Sequence, residues 1–212
     1  YTFGKRLKKI LKNKLNEFDV IHDNQSLCYE LLYFQKKIPL VTTIHHPISK
    51  DLKYELKSIN SIFLKILKIR WHSFLVMQKY VAKRLKKIIT VSNSSKKNIQ
   101  EDFKVDEKNV SVILNGIDTN IFYPDQSKTI PKRIVTVASA DVPLKGLDYL
   151  LDAFANLREQ DENIELFVIG SINKGGHTER KLKFLNIEKK VTFKKDLNFK
   201  EVREIYCSAD IV

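Results

Sequence analysis

Seven short apolar, β-branched runs alternate with amphipathic segments along the chain, and this rhythm constrains the fold more than any other feature. The runs are residues 18–22, 39–44, 88–91, 110–114, 134–138, 164–169 and 191–193. Strands separated by helices must pair in parallel, because each connection crosses over the sheet. The class is therefore α/β, with doubly wound parallel sheets and helices on both faces. At 212 residues the chain can form one large domain or two small ones. Residues 115–131, with Pro124 and Pro131, read as a connection between two α/β halves. Asn115-Gly116 within it is a turn signal. The division expected is residues 1–120, a linker at 121–130, and residues 131–212.

Between the strands, residues 1–17 are basic, with Leu7, Ile10, Leu11 and Leu15 at helical spacing. Ser26–Gln35 reads as a helix that Ser26 can cap, and Ser92-Asn93-Ser94 can cap another over 95–102. Residues 61–86 form the longest helical candidate. Phe63, Leu67, Trp71, Phe74, Met77, Val81 and Leu85 fall on one stripe, opposite Lys65, Lys68, Arg70, Lys79 and Lys83. Such a helix either covers a sheet or lies on an anionic membrane.

The segment RIVTVASADVPLKGLDYLLDAFANL at 133–157 carries the chemistry. A strand over 134–138 leads into a loop in which Pro143 excludes regular helix. Lys145-Gly146 follows, and Leu147, Leu150, Leu151, Phe154 and Leu157 then recur at helical spacing. A helix N-terminus offers unpaired N–H groups and about half a positive charge. Lys145 adds a full charge, and Gly146 lets backbone approach a ligand closely. This geometry suits phosphate, although the segment is neither a Walker loop nor a GxGxxG turn. Asp141 lies near Lys145 in sequence and is a candidate to pair with it. Gly170, Gly175 and Gly176 belong to a second βα loop, read as a surface turn rather than a phosphate cradle.

The net charge of +13 favours phosphate-bearing partners. Nucleic acid is not expected, because no reading motif or stacking aromatics accompany the basic loops. Cys28 and Cys207 lack metal-ligand spacing, so neither a metal nor another cofactor is implied, and a reducing cytoplasm fits two isolated thiols. No apolar run is long enough to span a bilayer, and no signal peptide is visible. The chain begins at Tyr1 and ends on Ala209-Asp210-Ile211-Val212, where a strand would start, so it reads as an internal piece of a longer protein.

Several stretches in order resemble one family. They are FDVIH at 18–22, VTTIHH at 41–46, KKIITVSNSSKKNI at 86–99 and VSVILNGIDTNIFYP at 110–124. VASADVPLKGLDYLLDAF at 137–154, IELFVIG at 164–170, VTF at 191–193 and EVREIYCSADIV at 201–212 complete the set. The chain resembles the family-four, or group 1, retaining glycosyltransferases of the GT-B fold. The resemblance implies two Rossmann-like domains, both incomplete here. Residues 1–120 would be the C-terminal part of the acceptor-side domain and 131–212 the N-terminal part of the donor-side domain. The implied activity is transfer of a sugar from a nucleotide-sugar donor to a glycan or lipid acceptor, in cell-envelope polysaccharide synthesis. The implied location is the cytoplasm, with peripheral contact at the inner face of the membrane.

Lys145 matches the family lysine that binds the donor diphosphate. A fixed cation there stabilises charge developing on the departing nucleoside diphosphate. Gly146 and Ser139 belong to the same implied site. His45 matches the family histidine near the donor sugar and is the implied catalytic residue; His46 stands where many members carry an acid. The family's Gly-Arg after the first donor-domain strand is replaced by Ala138-Ser139, which removes a positive charge. The family's paired glutamates are not within the 212 residues, and neither is its Gly-rich acceptor-domain loop. The piece alone is therefore expected to be inactive. The competing readings are a sugar-nucleotide epimerase of the same build and a truncated, non-catalytic binding fragment.

Overall fold

The computed structural model describes residues 2–141 and 145–212, with Ser58 described by its backbone alone. Val142, Pro143 and Leu144 lie outside the described residues, and with them the expectation that Pro143 bars helix in the loop. The chain divides into two compact units, Tyr1–Gly116 and Ile117–Val212.

The first unit holds four parallel strands in the order β1-β2-β3-β4: Ile21–Asn24, Leu40–Thr43, Ile88–Thr90 and Val110–Val112. Its described helices are α1 (Thr2–Leu11), α2 (Leu31–Phe34), α3 (Ile48–Ser58), α4 (Ile62–Trp71), α5 (Phe74–Ala82) and α6 (Asn93–Phe103). Leu31, Phe34, Ile44, Val81, Leu85, Ile88 and Ile99 are its fully buried core. Each such side chain contributes about 1.5–3 kcal/mol by leaving water. Ser92 caps α6 as expected, accepting the Ser95 N–H.

Three expectations for this unit need correction. The first strand begins at Ile21, not Phe18. Ser26 does not cap a helix over 26–35. Its hydroxyl and N–H both donate to Asp23, in a turn with Gln25 and Leu27 at positive φ, and α2 starts only at Leu31. The 61–86 segment is two helices. His72 ends α4, its backbone N–H and its ring Nδ1 both meeting the Lys68 carbonyl, at 3.0 and 2.9 Å. The stripe is split by this break. Met77, Val81 and Leu85 enter the core, while Phe63 is 68% and Trp71 76% exposed.

The second unit holds three parallel strands in the order β5-β6-β7: Arg133–Val137, Glu165–Ile169 and Val191–Lys194. Ile211 forms a parallel bridge with Ile134 on the other edge of β5. Helices α7 (Leu147–Gln160), α8 (His177–Phe184) and α9 (Phe199–Cys207) accompany the sheet. Leu147, Leu151 and Phe154 of α7 pack on Leu166, Val168 and Leu182, realising the apolar spacing of the sequence. Asn198 and Glu201 form a capping box on α9. The turn signalled at Asn115-Gly116 falls instead at Asp118–Phe122, where the Asp118 carbonyl accepts the Ile121 and Phe122 N–H groups. The segment that follows packs on α9: Arg203 donates to the Tyr123 carbonyl at 3.0 Å and covers the Tyr123 ring.

Candidate functional site

In the first unit the polar side chains gather at the C-terminal ends of β1 and β2. The register pairs Asn24 with Thr43, so both strands release their loops at the same level. Parallel sheets bind ligands at this edge because every loop there follows a strand end. Asp23, nearly buried, accepts from Ser26 and Leu27 and forces the tight turn that projects Gln25. The Gln25 amide then holds the loop after β2 from both sides. Its Oε1 accepts the His45 N–H at 2.8 Å, and its Nε2 donates to the His46 carbonyl at 3.0 Å.

The His45 ring lies exposed, with Nε2 2.9 Å from Asn24 Oδ1. A carbonyl oxygen only accepts, so Nε2 carries the proton. In the neutral ring Nδ1 is then an acceptor, with no hydrogen-bond partner among the described residues. Two further histidines are engaged elsewhere: His46 Nε2 lies 2.6 Å from Asp51 Oδ2, and His22 Nε2 lies 2.7 Å from Thr43 Oγ1.

In the second unit the loop after β5 leads to the N-terminus of α7. Ala138 and Ala140 are fixed by N–H bonds to the Ile169 and Ser171 carbonyls, and Ser139 between them is exposed. Gly146 is the residue before α7, at φ +68°. That left-handed conformation, rather than lack of space, is the reason for glycine here, since a Cβ would meet nothing. Gly146 has no side chain to cap α7, and among the described residues the first-turn N–H groups meet no acceptor beside the exposed Lys145.

The carboxylates near Lys145 in sequence are occupied by other partners. Asp141 accepts the Thr178 N–H at 2.8 Å, the Thr178 hydroxyl at 2.9 Å and the Asn173 amide at 2.8 Å. The Thr178 backbone bond, with the Asn173 and Thr178 side-chain bonds, holds the Asp141 carboxyl below its ordinary pKa against a desolvation cost. Asp148 takes Lys181 at 2.8 Å and His177 at 2.8 Å. The Lys181 bond, chiefly, lowers the Asp148 pKa, and bonds from Asp148 and Asp152 raise that of Lys181 despite its desolvation. The expected Asp141–Lys145 pairing is thus corrected: among the described residues Lys145 has no ion pair.

The glycine loop after β6 is a structural turn. The N–H groups of Gly170, Gly175 and Gly176 donate to Lys194, Glu179 and Asn173, so none is aimed outward at a phosphate. Gly170 lies so close to the Ala138 carbonyl that a Cβ would collide with it, and one on Gly176 would strike Asp141.

The structure thus brings Ser139, Lys145 and Gly146 into one unit and places His45 in the other. Asn24, Gln25, Asn173 and Thr178 escaped the sequence reading. The signal available was indirect: parallel neighbours place the residues after β1 beside those after β2.

Two family models divide the chain between them. Residues 1–121 match the model described as Glycosyltransferase Family 4, and residues 122–212 match Glycosyl transferases group 1. The chain belongs to this group of GT-B glycosyltransferases. The MMP alpha-(1->4)-mannosyltransferase of Mycolicibacterium hassiacum is 37% identical over 211 residues, which are 99% of this chain and 51% of that protein. The O-antigen chain mannosyltransferase RfbU of Salmonella typhimurium is 24% identical over 173 residues, covering 80% and 47% of the two chains. The chain therefore spans about half the length of these relatives. Among solved structures, sucrose-phosphate synthase from Thermosynechococcus elongatus superposes with a TM-score of 0.65 at 16% identity, over 98% of this chain and 52% of that one. Anabaena HepE, solved with UDP, gives 0.65 at 17% identity, over 96% and 54%. These structures share the fold. The relatives favour transfer over the epimerase reading.

Proposed function

We propose that the whole protein transfers a sugar, with retention, from a nucleotide-sugar donor to a glycan or lipid-linked acceptor in cell-envelope polysaccharide synthesis. It works in the cytoplasm, at the inner face of the membrane. Residues 1–120 serve the acceptor side and 131–212 the donor side, joined through 121–130. The observation that carries the reading is Lys145, without an ion pair among the described residues, at the start of α7, with Asp141 and Asp148 both engaged elsewhere. The mannosyltransferase relatives support a hexose donor.

In this reading Lys145 and the α7 N-terminus meet the diphosphate, and Ser139 adds a neutral donor. As the glycosidic bond to phosphate breaks, negative charge grows on the leaving diphosphate. A cation already in place stabilises that charge without reorganisation. His45 presents Nδ1 to a hydroxyl of the donor sugar, its ring direction set by Asn24.

The test is donor turnover by the full-length protein over a panel of nucleotide sugars. Lys145→Ala is expected to lower turnover roughly a hundredfold, the scale of one lost oxyanion-type donor. Undiminished turnover in that variant contradicts the assignment.

A further inference from the structure

Helix α4 is apolar on nearly every side and yet none of its residues is buried. Ile62 is 76% exposed, and Phe63, Leu64, Ile66, Leu67, Ile69 and Trp71 are exposed with it. A helix hydrophobic all round normally lies inside something. Here Leu64, Leu67, Lys68, Arg70 and Trp71, with Ile59, line an open groove of about 670 Å³. The neighbouring α5, by contrast, sends Met77 and Val81 into the core.

We infer that α4 lies in the headgroup region of an anionic bilayer, with acidic phospholipids as its partner. Charge decides between lipid and a protein cover. Between Ile48 and Lys87 the chain has eleven Lys or Arg against two acidic residues. On α4 the cations Lys65, Lys68 and Arg70 are interleaved with the apolar residues rather than set apart from them. At 3.6 residues per turn, Arg70 falls about 20° from Phe63 around the helix. A protein surface covering Phe63 would therefore desolvate the guanidinium. A bilayer interface does not, because a long basic side chain keeps its head among lipid phosphates while its stem and neighbours enter the acyl boundary. Trp71, at the C-terminal end of α4, has the amphipathic ring that favours this depth. Cations near an anionic surface add attraction that salt screens.

The inference deepens the location proposed above, but its test uses neither donor nor acceptor. Trp71 is the only tryptophan in the 212 residues, and a Trp71→Phe variant supplies the background from any others in the full-length protein. Full-length protein is titrated with phosphatidylcholine vesicles, with or without phosphatidylglycerol, some carrying brominated acyl chains. Trp71 emission should shift to the blue and be quenched by bromine on the anionic vesicles, much less on the neutral ones, with the effect reduced by salt. Phe63→Ser with Ile66→Ser should weaken binding roughly a hundredfold. Arg70→Glu should weaken it on the order of tenfold. These positions are exposed, so the variants should keep the wild-type circular dichroism spectrum. Lys145→Ala should bind vesicles like the parent, whatever its turnover. The inference is overturned if Trp71 stays unquenched on anionic vesicles, or if binding survives the Phe63/Ile66 change. It is equally overturned if Trp71 emission is already blue and shielded in lipid-free protein, which would reveal a cover made of protein.

Discussion

The loop after β2 and the start of α7 treat their polar residues in opposite ways. His45 is held twice, by Gln25 at its backbone and by Asn24 at its ring. Lys145 has no ion pair among the described residues, while the nearby acids Asp141 and Asp148 bind Thr178, Asn173, Lys181 and His177. The difference teaches how each group acts in the proposed reaction. A group that supplies direction must be anchored, because an imidazole is useful only at one angle. A group that supplies charge must be left open, because a carboxylate partner would cancel the field offered to a diphosphate.

The largest effect expected from breaking this contrast is the roughly hundredfold loss of turnover in Lys145→Ala. Gly146→Ala comes next. It leaves the charge but places a Cβ at φ +68°, a conformation costing about 1–2 kcal/mol for an L-residue. Chemical denaturation should show that loss, and turnover should fall because the first turn of α7 shifts. Gln25→Ala tests the anchored side. It removes two hydrogen bonds from the loop after β2, each contributing about 1 kcal/mol or less at an exposed site. Its kcat should drop about tenfold with KM for donor little changed, whereas Lys145→Ala should raise donor KM as well.

Asp141→Asn should have the smallest effect. The native Asp141 carboxyl has a lowered pKa, so its contribution is complete above the ordinary value of 3.8 and is lost as pH falls through the lower native value. At this exposed site the contribution is well under about 1 kcal/mol. Thermal melts of wild type should therefore lose a little stability below pH 3.8 that Asp141→Asn has already lost at neutral pH.

The strands were legible because β-branched runs such as Ile134–Val137 admit few other conformations. The start of α7 was legible for a related reason, since lysine and glycine stand directly between a strand and an amphipathic helix. The break between α4 and α5 was not, because His72-Ser73 contains neither glycine nor proline and the apolar stripe runs on through it. Helix α3 was legible in principle and was missed, since Ile48, Leu52 and Leu56 recur every fourth residue along it. Gln25 and Thr178 were illegible for another reason. Each acts through a hydrogen bond to a residue 20 or 37 positions away, and a polar loop residue carries no mark of such a distant partner.

The central claim is that Lys145 is an open cation facing a diphosphate. Isothermal titration of the full-length protein with a panel of nucleoside diphosphates and the matching nucleosides tests it without requiring an acceptor. Lys145→Ala should weaken binding of the preferred diphosphate at least several-fold and leave the nucleoside unchanged. Equal diphosphate affinity in wild type and variant would contradict the account.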